Sequence, residues 1–224
     1  MSESNRERAD RVLDAAAELL VRHGARKVTV DDIALRAGVG KGTLYLHWPT
    51  KHRLFAALYT REALAYVRLL AAEMRRDPAS VRPHRLLPYT YLSVTGRPVL
   101  RALLTGDGAP LQSGGDGDGM RREELMAWPR LHDVLVRHGL LRSDVPDLPY
   151  TLKTISAGYY LLDAMDPEDA RGTEAKAESF AYVVRAAFEP PGEPGERTLA
   201  EAAAEVVAIA EELVPQYEKW IYER

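Results

Sequence analysis

Apolar residues recur three and four positions apart along most of the chain, a spacing that predicts amphipathic helices with one buried face. In the first such stretch the apolar positions are Ala9, Val12, Ala16 and Leu20, and Gly24 then ends the pattern. The same spacing predicts helices over residues 6–23, 29–38, 41–48, 50–76, 86–95, 98–105, 120–138, 148–164, 173–188 and 198–222. No alternating run of strand length stands out, so the predicted fold class is all-α.

Capping residues and helix breakers set the ends of several of these helices. Two stretches match the capping-box pattern, Thr29 with Asp32 and Thr198 with Glu201. Two prolines, Pro129 and Pro215, predict a break or kink inside a helix. The glycine-rich stretch 106–119 has almost no apolar content, and we expect a mobile loop there.

The second and third helices are joined only by Gly38-Val39-Gly40, within the sequence "GVGKGT" that invites a nucleotide-binding interpretation. A P-loop needs a glycine five positions before its Gly-Lys pair and a hydroxyl residue directly after it. Those positions hold Leu35 and Gly42, so the P-loop hypothesis is rejected. A three-residue connection containing glycine instead makes two helices cross steeply, as in a helix-turn-helix.

The short third helix would then project polar side chains outward, while Leu44 and Trp48 close the small bundle. A cation, hydroxyls and an imidazole suit the base edges and flanking phosphates of the DNA major groove. We expect Thr29, Tyr45 and Lys51 to contact phosphate. The predicted DNA-binding residues are Thr29, Gly40, Lys41, Gly42, Thr43, Tyr45, His47 and Lys51.

The charge distribution agrees with this placement. Residues 1–53 carry ten Lys and Arg against seven Asp and Glu, whereas residues 190–224 carry three against eight. The N-terminal excess is small, but its sign is the one expected of a part that meets a polyanion. Because the chain has no cysteine, no signal-peptide core and no apolar run of membrane-spanning length, we predict a cytoplasmic protein that does not enter a membrane.

Residues 15–58 carry a set of fixed spacings: Thr29-Val30, Ile33-Ala34, Gly38-Val39, Gly42-Thr43-Leu44-Tyr45, an aromatic residue at 48 and Lys51. This stretch resembles the TetR (tetracycline-repressor-like) family of bacterial regulators. The resemblance implies a three-helix DNA-binding head joined by a long helix to a helical body that binds a ligand and dimerises. The predicted domains are a head over 5–53, a body over 54–189, and a Pro/Gly linker with an amphipathic helix over 190–224.

The resemblance also implies an effector pocket and a dimer interface in the body. Contacts to a small, largely apolar ligand are expected from Tyr66, Tyr89, Leu92, Trp128, His132 and Tyr159. A four-helix dimer interface is expected to contain Leu152, Ile155, Tyr159, Leu162, Phe180, Val184 and Phe188, with an intramolecular core as the alternative for these positions. We expect the acidic helix 198–222 to pack on the body or on the partner subunit.

Other chemistry finds little support in the sequence. An EF-hand beginning at Asp116 would need an acidic or amide residue where Met120 stands and a glutamate where Ala127 stands. The six histidines lack metal-ligand spacing, and no G-x-S-x-G nucleophile motif occurs. We therefore predict no metal, no cofactor and no enzymatic activity.

These expectations combine into one hypothesis and two rivals. The hypothesis is a homodimeric repressor on a palindromic operator, released when a small-molecule effector binds the body and tilts the helix 50–76. One rival is a DNA-bound scaffold of the same fold that recruits a protein partner without a small-molecule effector. The other is an all-α lipid carrier or enzyme whose head resembles a regulator by accident.

Overall fold

The computed structural model describes residues 3–104, 128–165 and 171–222, and within these ranges the regular structure is helical, without a strand. The helices are α1 (Glu3–His23), α2 (Val30–Ala37), α3 (Lys41–His47), α4 (Lys51–Arg76), α5 (Pro83–Thr95), α6 (Pro98–Leu104), α7 (Trp128–Arg137), α8 (Leu148–Met165), α9 (Thr173–Phe188) and α10 (Glu196–Tyr222), with a 3₁₀ turn at Pro78–Val81. The predicted all-α class is confirmed. None of the described helices is both long and apolar enough to span a lipid bilayer.

The chain divides into two compact units, each assembled from separate stretches of sequence. The described part of unit 1 contains residues 3–65, 97–104 and 213–222. The described part of unit 2 contains residues 66–96, 128–165 and 171–212. The helices α4 and α10 therefore each contribute residues to both units, whereas the domains predicted from the sequence are three consecutive segments.

Unit 1 is built around the apolar face of α1. The residues whose spacing predicted this helix are at most 2% exposed, namely Ala9, Val12, Leu13, Ala16 and Leu20. From α2 and the end of α3, Ile33, Leu44 and Trp48 complete the core and are at most 1% exposed. The three helices of the head thus share one small apolar centre.

The start and end of α2 follow the predicted signals. The Asp32 amide donates to Thr29 Oγ1 at 3.2 Å, and the Thr29 amide donates to Asp32 Oδ2 at 2.9 Å, so the capping box is confirmed. Gly38 ends the helix with φ of 64°, in the left-handed region that glycine adopts without strain. Gly40 is the N-cap of α3, so the predicted three-residue corner is also confirmed.

Unit 2 packs α5 against α9, with α8 beside them, and its core is rich in aromatic rings. Tyr91 of α5 lies edge-on to Phe180 of α9, with ring centroids 6.4 Å apart. Tyr159 of α8 stacks on Phe180 at 4.4 Å. α5 begins at Pro83, earlier than predicted, because a proline at the first helical turn has a preset φ and needs no amide partner.

The predicted start of the last helix was wrong. α10 begins at Glu196, so Thr198 lies inside its first turn and is not the capping residue. Gly195 precedes the helix instead, and its carbonyl accepts the amide of Leu199 at 3.1 Å. Pro215 lies inside α10, which continues past it for two turns.

Two predictions fall wholly or partly on residues outside the described ranges. The expected mobile loop 106–119 is one of them, together with the calcium-site positions Asp116, Met120 and Ala127 that were already rejected. The predicted helix 120–138 is described only from Trp128. Pro129 lies in the first turn of α7, where a proline is tolerated.

Candidate nucleic-acid interface

The outward strip of α3 can be derived from the one residue that this helix buries. Leu44 is 0% exposed and fixes which side of α3 faces the core of unit 1. At about 100° per residue, Gly42 and Leu46 each lie roughly 160° around the helix from Leu44. Leu46 is 62% exposed, and the neighbouring Tyr45 is 42% exposed. The outermost strip of α3 therefore consists of Gly42, Tyr45 and Leu46.

Lys41, at the amino end of α3, is held by an acidic side chain of α2. Its Nζ lies 2.9 Å from the carboxylate of Asp31, and both side chains are at least half exposed. The hydrogen bond to Asp31 and the charge of that carboxylate raise the pKa of Lys41, so the ammonium group is charged at neutral pH. Because an ammonium group has three N–H donors, Lys41 can bond Asp31 and an incoming phosphate together.

Thr29 and Lys51 flank the same surface. The Thr29 hydroxyl donates to Asp32 Oδ2 at 2.6 Å. This bond, together with the bond donated by the Thr29 amide, lowers the pKa of Asp32. A phosphate contact donated by this hydroxyl would compete with its bond to Asp32 Oδ2, whereas the two bonds of the capping box would remain. The Nζ of Lys51 lies 5.7 Å from the Phe55 ring centroid. Partial burial lowers the pKa of Lys51, against an opposing effect of Asp32.

The other predicted DNA-binding residues also lie in this part of unit 1. Gly40 is exposed, whereas Thr43 and His47 are half-buried, and the His47 ring lies 5.3 Å from that of Trp48. A Cβ at Gly42 would meet no atom within 4 Å, and one at Gly40 would meet only Thr43 Oγ1, at 4.0 Å. Within the described part of unit 1, a larger side chain would therefore have room at either position.

Sequence reasoning missed two residues of this surface. Leu46 was passed over because the candidates were chosen for polar chemistry, although a helical wheel centred on Leu44 would have placed it outermost. Asp31 was passed over because a carboxylate is not expected beside a polyanion. Its position in the first turn of α2, one residue before the capping Asp32, was the available signal.

The six predicted ligand-binding residues all lie in unit 2. Tyr66 is buried, and its hydroxyl lies 2.8 Å from Thr90 Oγ1 of α5. Burial raises the pKa of Tyr66. His132 of α7 is largely buried, and its Nε2 has no hydrogen-bond partner among the described residues. The remaining members, Tyr89, Leu92, Trp128 and Tyr159, are half-buried or partly exposed.

A surface groove of about 770 Å³ in unit 2 includes none of these six residues. Its charged lining consists of Arg82, Arg142, Arg185, Asp144, Glu189 and Glu193. Arg82 pairs with both Glu189 and Glu193, and Arg185 pairs with Glu193 as well. Because the arginines face an equal number of carboxylates, the groove has no excess charge that would select an ionic ligand. The predicted effector pocket therefore stays a prediction.

The predicted dimer-interface residues separate into two groups. Four of them are at most 2% exposed within a single chain: Leu152, Phe180, Val184 and Phe188. Within the chain they lie in the core of unit 2, which is the alternative that the sequence left open for these positions, and their place in an interface stays a prediction. Ile155 and Tyr159 are half-buried, and Leu162 is 62% exposed. Further exposed apolar residues on α8 and α9, which the sequence did not single out, are Tyr150, Leu161, Met165 and Tyr182.

Comparison with models of protein families matches residues 12–58 to "Bacterial regulatory proteins, tetR family". The matched residues run from α1 through the corner to the first turns of α4, which is the structure that holds the outward strip of α3. The match covers the head alone, so it assigns residues 12–58, and not the rest of the chain, to the TetR family. The three-helix head implied by the sequence resemblance is therefore a TetR-family domain in both sequence and structure.

Two curated relatives match this chain over different lengths. Mb2274c of Mycobacterium bovis, an uncharacterized HTH-type transcriptional regulator, is 37% identical over 68 residues, which are 30% of this chain and 36% of Mb2274c. The nucleoid occlusion factor SlmA of Marinobacter nauticus is 25% identical over 147 residues, or 65% of this chain and 72% of SlmA. The chain spans about a third of the length of the first curated relatives it matches.

A solved structure supports the fold beyond the head. The gamma-butyrolactone receptor (ArpA like protein) superimposes with a TM-score of 0.55 and 22% sequence identity. The match covers 93% of this chain and 99% of that receptor. At this level of identity the similarity establishes a TetR-like fold and no more.

Proposed function

We propose that this chain is a DNA-binding transcriptional regulator whose α3 enters the major groove. The observation that carries the proposal is the outward strip of α3, which stands beside the charged Lys41 and opposite the buried Leu44. A helix about 10–12 Å across fits a groove about 12 Å wide. In helix-turn-helix proteins the amino-terminal residues of the second helix contact base edges, which is the role assigned here to Lys41 through Leu46.

The active form in this proposal is a homodimeric repressor. Exposed apolar residues on α8 and α9 support it, because monomers rarely leave a large apolar patch in water. The revised interface set contains Ile155, Tyr159, Leu162, Tyr150, Leu161, Met165 and Tyr182. Two-fold symmetry would then require a palindromic operator with half-sites about 34 Å apart, or a multiple of that distance.

Release from the operator is assigned to a small, largely apolar effector bound within unit 2. The support is the aromatic content of that unit and the His132 ring nitrogen, since a buried polar group that lacks a protein partner can be satisfied by a ligand or water. The structural similarity to a gamma-butyrolactone receptor points the same way. A tilt of α4 would transmit effector binding to the DNA-binding head, with a coupling free energy of about 1–3 kcal/mol.

A DNA-bound scaffold without a small-molecule effector is the second candidate. Its support is the similarity to SlmA over 72% of that protein, since SlmA is named for nucleoid occlusion and not for binding a small molecule. The charged groove of unit 2, whose arginines and carboxylates are paired, would then be available to a protein partner. A screen of apolar compounds separates the two candidates. If the chain has an effector, one compound should raise its melting temperature and weaken its DNA binding. If it is a scaffold, no compound should change either quantity.

Selection of duplexes from a random library by the purified chain tests the proposal. We expect one enriched sequence, bound roughly tenfold or more weakly at 200 mM than at 50 mM salt, because phosphate contacts release counterions. Lys41→Ala and Tyr45→Phe should both weaken this binding. Arg197→Ala is a charge-matched control, since it removes one positive charge from a side chain of unit 2 that is 90% exposed.

Two outcomes would contradict the proposal. One is the absence of any enriched sequence, which would favour a carrier or an enzyme. The other is an affinity that does not change with salt, which would exclude the phosphate contacts assigned to Lys41 and Lys51.

A further inference from the structure

The carboxyl-terminal end of α10 packs inside unit 1, whereas sequence reasoning expected this helix on the body or on the partner subunit. Residues 213–222 share unit 1 with α1, α2 and α3. Leu213, Tyr217 and Ile221, spaced four apart on one side of the helix, are 8%, 1% and 1% exposed. The last ten described residues therefore contribute to the core of the DNA-binding unit.

Two backbone carbonyls of this segment accept hydrogen bonds from residues next to α3. Trp48 Nε1 donates to the Ile221 carbonyl at 3.1 Å in a buried contact, and Arg53 Nη2 donates to the Trp220 carbonyl at 2.8 Å. The last four carbonyls of a helix have no partner within it, so α10 offers acceptors that its own backbone cannot use. The positive Arg53 also lies at the negative end of the helix dipole.

The side chain of Trp220 adds a second contact to Arg53. The Arg53 guanidinium lies 3.5 Å from the centroid of the Trp220 ring, within the range of a cation–π interaction. Arg53 is thus held at once by a carbonyl and by an aromatic face of the same residue.

The same segment is anchored on α1 by separate contacts. The Tyr222 hydroxyl donates to Asp10 Oδ1 at 2.5 Å, and Arg6 pairs with Glu218 at 3.3 Å. Arg6 also lies 4.6 Å from the centroid of the Tyr222 ring. The end of α10 consequently bridges α1 and the turn that follows α3, all within unit 1.

We propose that residues 213–222 position α3 for DNA, through Trp220 and Ile221. Trp48 is the C-cap of α3, and Arg53 lies in the first turn of α4, so the two residues stand on either side of the turn that ends α3. By holding both, the last turn of α10 fixes the direction in which the outward strip of α3 points. This inference rests on the proposed DNA-binding function, in which Trp220 and Ile221 are positioning residues and make no DNA contact.

If Trp220 and Ile221 position α3, removing their contacts should lower the affinity for the specific duplex relative to the affinity for a non-specific one. Sequence-specific binding needs α3 in one orientation, whereas non-specific binding depends mainly on phosphate contacts. Trp220→Leu keeps the backbone carbonyl but removes the ring that packs on Arg53. We expect this variant to bind the duplex enriched by the wild type about tenfold more weakly, the size of one lost base contact. Its affinity for a scrambled duplex should not change.

Two variants serve as controls. Trp220→Phe restores an aromatic face for Arg53 and should recover the wild-type ratio. Glu211→Gln removes a surface pair of the same helix, between Glu211 and Arg75 at 2.6 Å in unit 2, and should leave both affinities unchanged. If Trp220→Leu does not fold, Arg53→Lys replaces it. Lysine keeps the positive charge but lacks the planar guanidinium group that stacks on the Trp220 ring.

Amide hydrogen exchange without DNA separates failure of this inference from failure of the proposed function. Loss of positioning should increase exchange over residues 41–53 in Trp220→Leu but not in Glu211→Gln. If the wild type enriches no sequence, the proposed function is wrong, and the exchange result alone decides the inference. Unchanged exchange at 41–53, or a parallel loss of both affinities that tracks a lower melting temperature, would overturn the positioning role.

Discussion

Leu46 lies on the outward strip of α3, and its side chain is 62% exposed. An apolar side chain in the major groove can contact the C5 methyl group of thymine, the apolar group that base edges present there. Lys41, five residues earlier and bonded to Asp31, offers charge to the same groove. We therefore expect each half-site of the operator to carry a thymine opposite Leu46.

Replacing that thymine with uracil removes only the methyl group. We expect the wild type to bind the uracil duplex about fourfold more weakly, the equivalent of about 0.8 kcal/mol for one buried carbon. The Leu46→Ala variant should bind both duplexes equally, because its side chain no longer reaches the methyl group. Titrations of thymine and uracil duplexes with both proteins measure the four affinities. An equal response of the two proteins would exclude this contact.

At the scale of helices, the sequence predicts boundaries well wherever the signal is local. The Thr29 cap, the left-handed Gly38 and the Gly40 start of α3 depend on neighbouring residues and were found. The start of α10 was missed because Gly195 and Thr198 both suit a position before a helix. The contact of Trp48 with Ile221 joins residues 173 positions apart, and no local pattern reveals it.

The capping box of α2 gives a prediction with a defined pH dependence. Hydrogen bonds from Thr29 lower the pKa of Asp32 below its ordinary value of 3.8. The ionised carboxylate therefore stabilises the folded state above that pH, and its contribution is lost as pH falls through the lowered pKa. Asp32→Asn should lower the melting temperature at neutral pH by about 2–4 °C, the size of a typical cap effect in a chain of this length.

Thermal unfolding of wild type and Asp32→Asn across a pH series checks this result. The difference between the two melting temperatures should shrink as pH falls below 3.8 and through the lowered pKa of Asp32, because the wild-type carboxylate then accepts a proton. A difference of constant size across the series would show that the charge of Asp32 plays no part in the cap.

At the scale of the whole molecule, the sequence could not separate core residues from interface residues, because both are apolar and both recur at helical spacing. Leu152 and Phe180 proved to be buried in their own unit, whereas Leu162 on the same pair of helices is exposed. The long-range assembly of unit 1 from both ends of the chain was also beyond local patterns. What the sequence did predict, the TetR-family head, is the part defined by short-range spacings.

Methylation interference on the enriched duplex tests most directly whether α3 enters the major groove on both halves of a symmetric site. Guanine N7 faces the major groove and adenine N3 faces the minor groove, so methyl groups at the two positions report separately on each groove. We predict that N7 methylation blocks binding in two stretches related by two-fold symmetry, with centres about 34 Å or a multiple of that distance apart. Interference confined to adenine N3, or to a single stretch without a symmetric counterpart, would contradict it.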